Sequence, residues 1–474
     1  MKKLFTLWAI LLFIGVDPAN GQTSISGIRF GSTGDPLNGL TIAWKGLGTE
    51  DKIAWGYTSV LEGGNFLGKK SNSITGTRFE FTFPPLVAGA PIYYEIFDSK
   101  NFVWTETQSY KAASDASGNQ FSFTVLGDSR SNPDQWQIIS EATQDTDFTL
   151  FMGDIVNDGK DAPDWQDWFD YGEKFISREA VYHCVGNHDD DDSPSEFDNF
   201  LGLFTQPGNE LYYSFTYGNA SFICLNSEEP DSYEQYEWLL STLEANKDKV
   251  WNIVFFHKPF YTSPSHMGDM DGYFHTWWKA FDDYGVDMIF NGHTHNYQRT
   301  KPINRTISTA SAVNNYGSEA GEGRCQIVAG NAGAPLSSAA SSSLWWLDNS
   351  VSARHFCNID IDGNRLTMKA MDASLAVFDQ LVLEKAITGT NKIKNLGTTI
   401  FPNPSNGEFM ITTHGHELLG YRIFSSTGQI ISEDLDQRIV SGQVRIDMRD
   451  QAEGIYFIEI RTGAGTSVEK IMIY

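Results

Sequence analysis

Phe148-Thr-Leu-Phe-Met-Gly-Asp154 is an apolar run that stops, one glycine later, on a carboxylate. The arrangement recurs along the chain. Phe123-Thr-Val-Leu126 runs into Gly127-Asp128, and Val181-Tyr-His-Cys-Val185 into Gly186-Asn187-His188-Asp189. Ile253-Val-Phe-Phe256 runs into His257, and Val286-Asp-Met-Ile-Phe290 into Asn291-Gly292-His293-Thr294-His295. Short apolar runs of this kind read as buried strands. In layered α/β domains ligands gather beyond the carboxyl ends of the strands, so the five ends are expected to converge on one site. Together they supply Asp, Asn and His, a mixture of oxygen and nitrogen donors that suits Fe, Zn or Mn. A lone Gly-Asp is usually a turn and a lone buried His a core residue; the ordered set carries the reading.

Working outward, the segment from about 118 to 386 alternates strand, loop and helix. Asn132-Pro133 makes an N-cap and first-turn pair, and Tyr236, Leu239, Leu240 and Leu243 make a helical stripe. An α/β layered domain is expected there. Residues 23–113 read as a small β-sandwich: Leu40-Thr-Ile-Ala-Trp44, Arg78-Phe-Glu-Phe-Thr-Phe83 and the Ile92 to Phe97 run are strand-like, with Gly and Pro between them. It holds no cluster of His, Cys or carboxylates, so support for the next domain is its expected role. Residues 396–474 return to short strands after the polar, glycine-containing stretch Thr388 to Gly397, which reads as a linker.

The chain has 474 residues, too many for one core, so two or three domains are expected. A net charge of -26 disfavours a nucleic-acid scaffold, yet a bound cation, as the dominant local charge, still admits phosphate esters. Met1-Lys2-Lys3, the Leu4 to Val16 apolar run and Ala19-Asn20-Gly21 read as a signal peptide spanning 1–21, with cleavage before Gln22. No apolar stretch is long enough for a transmembrane helix. Cys184, Cys224, Cys325 and Cys357 are read as buried thiols, with a Cys325–Cys357 bridge as the alternative. The acidic run Asp189 to Asp192 lacks the glycine and terminal Glu of a calcium-binding EF-hand loop, so beyond Asp189 it reads as a solvated loop.

At the five strand ends the chain resembles the calcineurin-like metallophosphoesterases and, through Gly292-His-Thr-His-Asn-Tyr-Gln-Arg299, the purple acid phosphatases. With the N-terminal block and Phe378-Asp379, the resemblance covers most of residues 24–386. It implies a multidomain chain: an N-terminal fibronectin III-like β-sandwich (23–113), a central α/β metallophosphoesterase sandwich of four layers, αββα (118–386), and a small C-terminal β-sandwich (396–474). It also implies two transition-metal ions, the first on Asp128, Asp154 and His295, the second on Asp154, Asn187, His257 and His293, with Asp154 bridging. Hydrolysis of phosphate monoesters by metal-bound hydroxide follows, with no phosphoenzyme. His188, oriented by Asp189, then contacts the phosphoryl oxygens or protonates the leaving alkoxide, or else only supports the ligands. The stretch Ser263 to Asp269 stands where the family has a substrate-facing His, which assigns His266 to the pocket.

Two positions depart from the family. Asn157 stands in place of a metal-binding Tyr, and Arg130 in place of the His that many phosphoesterases carry. Asn157 or water is left to complete the first metal. Arg130 is open to two readings, a clamp on the substrate phosphate or a structural ion pair. Phosphodiester cleavage on nucleotides or lipid headgroups, and a catalytically silent surface-binding protein, are the competing functions.

Phe401-Pro-Asn-Pro-Ser-Asn-Gly-Glu-Phe409, Ser426-Thr-Gly-Gln429, Gly454-Ile-Tyr-Phe457 and Lys470-Ile-Met-Ile resemble the type A sorting domain of the type IX secretion system. That resemblance implies export through the periplasm to the cell surface or medium, with the secretion machinery as partner.

Overall fold

The computed structural model describes residues 23–304 apart from 195 and 264, then 323–385, 399–413, 417–425, 429–434, 443–462 and 465–474. The signal peptide and the linker read from the sequence lie outside the described residues, as do Ser426, Thr427 and Gly428. The chain divides into two units at Lys385.

Alternating side chains build the first unit. In the parallel strands Gln120–Leu126, Phe148–Phe151 and Ala180–His183, the side chains Phe123, Val125, Phe148, Leu150, Ala180 and Tyr182 face one core. Their neighbours Leu126, Phe151 and Val181 face a second core, completed by Trp136, Ile139, Trp165 and Trp168 from the helices Pro133–Ala142 and Ala162–Tyr171. The strands Ala220–Cys224, Trp251–Phe255 and Met288–Asn291 mirror this. Phe222, Ile253, Phe255, Met288 and Phe290 join the first core, while Ile223, Val254 and Ile289 meet Leu239, Leu243, Trp277, Trp278 and Phe281 on their outer face. The period-two alternation thus produces helix, sheet, sheet, helix. Both Trp277 and Trp278 are fully buried core residues.

The expected N-cap at Asn132 is present, its side chain accepting the Gln135 N–H, with Pro133 opening the helix. The predicted stripe at Tyr236 to Leu243 lies on the helix Tyr233–Asn246, with Leu239 and Leu243 buried.

The N-terminal block is less separate than its composition suggests. Its strand Ser26–Ser32 pairs in parallel with Ala180–His183, so the strands Leu40–Lys45, Gly76–Thr82 and Lys69–Ser73 extend the central sheet to ten strands. A second sheet, containing Lys52–Gly56 and Pro91–Asp98, covers it, and Trp44, Ile53, Phe79, Ile92 and Ile96 belong to the same core as the central strands. A shared sheet edge and a shared core make 23–385 one unit. Its three buried clusters are contributed by residues up to Leu383.

All four cysteines are free and buried, and burial pushes the Cys325 thiol up to about 12. Among the described residues no helix is long and apolar enough to cross a membrane. The second unit has antiparallel sheets of three and four strands, and Phe409, Ile411, Leu418, Ile423, Ile446, Ile458, Ile460 and Ile471 share its core.

Candidate metal centre

Asp128, Asp154 and His293 each follow a strand end and each adopt a positive φ, 53°, 51° and 69°. Left-handed backbone is uncommon for residues with a Cβ, and three cases at one site mark strain held by the surroundings. The hold is visible. The Asp128 N–H donates to Gly153 O (3.0 Å), Gly292 N–H to His257 O (3.0 Å), and the N–H groups of Gly333 and Ala334 both to Asp128 O (2.9 Å). Two glycines leave room for the side chains: a Cβ at Gly186 would lie 2.4 Å from Asp154 Oδ1, and one at Gly292 2.4 Å from Asp128 Oδ2.

The six first-choice ligands come together. Potential donor atoms of Asp154, His257 and His293 all lie within 4.8 Å of one another, as do those of Asp128, Asp154 and His295. His257 Nε2 is 3.1 Å from Asp154 Oδ1, 3.2 Å from His293 Nδ1 and 3.3 Å from Asn187 Oδ1. The outer nitrogens explain how the rings are aimed. His257 Nδ1 faces Met152 O (2.7 Å), His295 Nδ1 faces Pro335 O (3.0 Å), and His293 Nε2 faces Asp269 Oδ2 (3.0 Å). Each of these partners accepts, so each outer nitrogen can donate a proton outward, and a neutral ring in that tautomer would offer its inner nitrogen to a cation. The inner nitrogens of His257 and His293 converge with the Asp154 carboxylate and the Asn187 amide oxygen. Such a set calls for positive charge, which a proton on His257 or a bound cation would supply, and an outer acceptor on every imidazole is the arrangement found around metal-ligating His. The donors therefore fit a transition metal on Asp154, Asn187, His257 and His293.

The electrostatics carry the same demand for positive charge. Burial lowers the His257 imidazole, yet the carboxylate of Asp154 and its hydrogen bond outweigh it and raise the ring to about 10. Burial, His257 and His266 push His293 down to about 2. Burial opposes charge on Asp154, but His257, then His188 and Arg130, hold its carboxyl well below the usual range.

Two expected roles change. Asp189 does not serve His188: its fully buried carboxylate accepts the N–H groups of Ile155 (2.8 Å), Val156 (3.3 Å) and Gly186 (2.8 Å), which clamps the loop after Asp154 to the loop before Asn187. His188 is held instead by Asn157 O, 2.8 Å from its Nδ1. Arg130 meets the donors directly, with Nε 3.1 Å from Asp154 Oδ2 and its terminal nitrogen 3.2 Å from His295 Nε2. The Asn157 amide oxygen accepts from Ser131 Oγ (2.8 Å) and lies 3.4 Å from Arg130. His266 reaches the pocket, its ring centroid 4.1 Å from that of His293.

Residues 121–297 match the calcineurin-like phosphoesterase family. The matched segment contains all six candidate ligands, from Asp128 to His295. Similar proteins include purple acid phosphatase 15 of Arabidopsis thaliana, 30% identical over 30% of this chain and 29% of that protein. Purple acid phosphatase 1 of Ipomoea batatas is 26% identical over 38% and 43%. These matches span less than half of either relative. Purple acid phosphatase PPD1 from yellow lupin has the same fold, with a TM-score of 0.63 at 19% identity over 76% of this chain and 74% of that one. Residues 399–474 match the secretion system C-terminal sorting domain.

Within the matched segment, Asp269 is the site residue that the sequence does not announce. It was visible only as the end of the Ser263 to Asp269 stretch, three residues after His266, and its contact with His293 comes from the chain folding back. Arg299, in the family-like block, serves the frame: it pairs through Nε and a terminal nitrogen with Asp379 (2.7 and 3.1 Å), which also accepts from Tyr297 Oη.

Proposed function

We propose that this protein hydrolyses phosphate monoesters outside the cell in a reaction that depends on transition metal. The observation that carries the reading is the convergence of the His257 and His293 inner ring nitrogens with Asp154 and Asn187, each ring fixed by an outer acceptor. A metal ion held there would supply positive charge against the phosphoryl oxygens and lower the pKa of a bound water. The remaining work falls to the chain. Asp154 and Asn187 position the centre; His188, anchored through Nδ1, presents its other nitrogen for the leaving oxygen; and His266 lies beside His293 to meet the phosphoryl group. Around Asp128, His295 and the second Asp154 oxygen the family pattern implies a second ion, and Arg130 shares that space. A cleft of about 230 Å³ opens beside Arg130, Ser131 and Asn157, large enough for a small leaving group. The net charge of -26 favours small esters over polyanions.

The deciding experiment is a panel of phosphate monoesters and diesters assayed with protein loaded with Mn, Zn or Fe. Monoester turnover that exceeds diester turnover supports the proposal. Preference for nucleotide or lipid diesters replaces it with a phosphodiesterase, and no bound metal with no turnover replaces it with a silent binding protein.

Colour gives an independent check. In the purple acid phosphatases the visible band arises from charge transfer between a Tyr phenolate and ferric iron. Here that position is Asn157, whose amide oxygen is already bonded to Ser131. A neutral amide donor also weakens any preference for ferric over divalent ions. Iron-loaded, active protein is expected to be colourless across the visible range, and a strong visible band would show that a different tyrosine ligates.

A further inference from the structure

Two of the three donors assigned to the first metal position, Asp154 and His295, and the Asn157 that would complete it are engaged by one side chain. Arg130 Nε donates to Asp154 Oδ2 at 3.1 Å, a terminal nitrogen faces the inward lone pair of His295 at 3.2 Å, and the other terminal nitrogen lies 3.4 Å from the Asn157 amide oxygen. His295 cannot turn its other nitrogen inward, because Nδ1 is held on Pro335 O. What remains is Asp128, whose two oxygens already accept the His293 N–H at 3.0 and 3.1 Å. The second position differs. Its donor atoms on Asp154, Asn187, His257 and His293 face one another.

Charge points the same way. Asp128 and Asp154 are buried carboxylates that require compensation. One divalent ion and one guanidinium already exceed their formal charge. A second divalent ion placed against a guanidinium that is 14% exposed would set three cations around two carboxylates. Arginine keeps its proton at any working pH, so it cannot yield by deprotonation.

We propose that this centre holds a single metal ion, on Asp154, Asn187, His257 and His293, and that the Arg130 guanidinium takes the place of the second ion. This rests on the metal-dependent reading of the site. The planar fork supplies a fixed positive charge beside the phosphoryl position, bridging Asp154 and His295, and leaves Asp128 to brace the His293 backbone.

Metal content tests it directly. Full-length protein is loaded with Mn(II), freed of excess ion, and measured for metal per chain by mass spectrometry and for coupling by electron paramagnetic resonance. The wild type is expected to hold one ion per chain with the signature of an isolated Mn(II). Arg130→His removes the guanidinium and offers an imidazole, so it is expected to hold two, with an exchange-coupled spectrum. Two coupled ions in the wild type would overturn the inference while preserving the metal-dependent reading. A folded Arg130→His that stays at one ion also overturns it, since removing the competitor would then have freed nothing. No bound ion in the wild type sinks both readings. If Arg130→His fails to fold, the wild-type stoichiometry still decides.

Discussion

Asp154→Ala is expected to lower phosphomonoesterase kcat/KM by about a thousandfold or more, with loss of bound metal. A metal centre of this kind supplies several kcal/mol of transition-state charge stabilisation, and each ~1.4 kcal/mol is a factor of ten in rate. Asp154 is the side chain on which the site's contacts meet: Oδ1 faces His257 and accepts the His188 N–H at 3.0 Å, while Oδ2 faces Arg130. Its removal therefore loosens the metal, His188 and Arg130 together. The backbone complicates the alanine variant. At φ 51° an alanine carries about 1–2 kcal/mol of left-handed strain that aspartate and asparagine tolerate better. Asp154→Asn keeps that tolerance and the side-chain volume while removing the charge, so it separates the ligand from the fold. Both variants are expected to lose metal, measured by elemental analysis, and only the alanine to show a clearly lowered unfolding midpoint. Retention of metal with activity within about tenfold of wild type in Asp154→Asn would contradict the assigned centre.

Much of this site was legible because strand, turn and ligand are adjacent in sequence. The run Phe148 to Met152 announces a buried strand by its apolarity, and Gly153-Asp154 announces the end by its turn residue, so the ligand's position follows from the fold without any long-range contact. His257 and His293 are read in the same way. The parts that were not legible depend on where distant loops arrive. Asp269 reaches His293, Pro335 O fixes His295, and Asn157 O fixes His188, all through chain segments whose proximity no local pattern encodes. Asp189 departs from its expected role for a related reason. Its neighbour in sequence is His188, but full burial leaves its carboxylate dependent on backbone N–H donors, and the loop after Asp154 supplies them. The N-terminal block was read as a separate sandwich because its strands alternate and end in Gly and Pro. The parallel pairing of Phe30 with Ala180, which joins it to the central sheet, leaves no mark in either strand.

Removing residues 399–474 is expected to leave hydrolysis per bound metal unchanged and to abolish release of the protein from the cell envelope. The two halves of this expectation have different grounds. Every ligand proposed here precedes residue 300, and the clusters that bury the strands beneath them draw on residues up to Leu383. The second unit has its own core, built from Phe409, Leu418, Ile423, Ile458 and Ile471 among others, so its loss takes no side chain from the cores that carry the site. Domains with separate cores fold as separate units. The match of 399–474 to a secretion system C-terminal sorting domain is the ground for expecting the export signal in that second unit. The measurement is paired: activity and metal content of the purified truncated protein, and its distribution between envelope and medium in a host that has the secretion machinery. Truncated protein that is inactive or metal-free would mean that the second unit supports the first, and truncated protein that still reaches the medium would remove the sorting role from residues 399–474. With both results as expected, fusing 399–474 to an unrelated exported domain is expected to carry that domain to the same destination, because the signal then resides in the second unit alone.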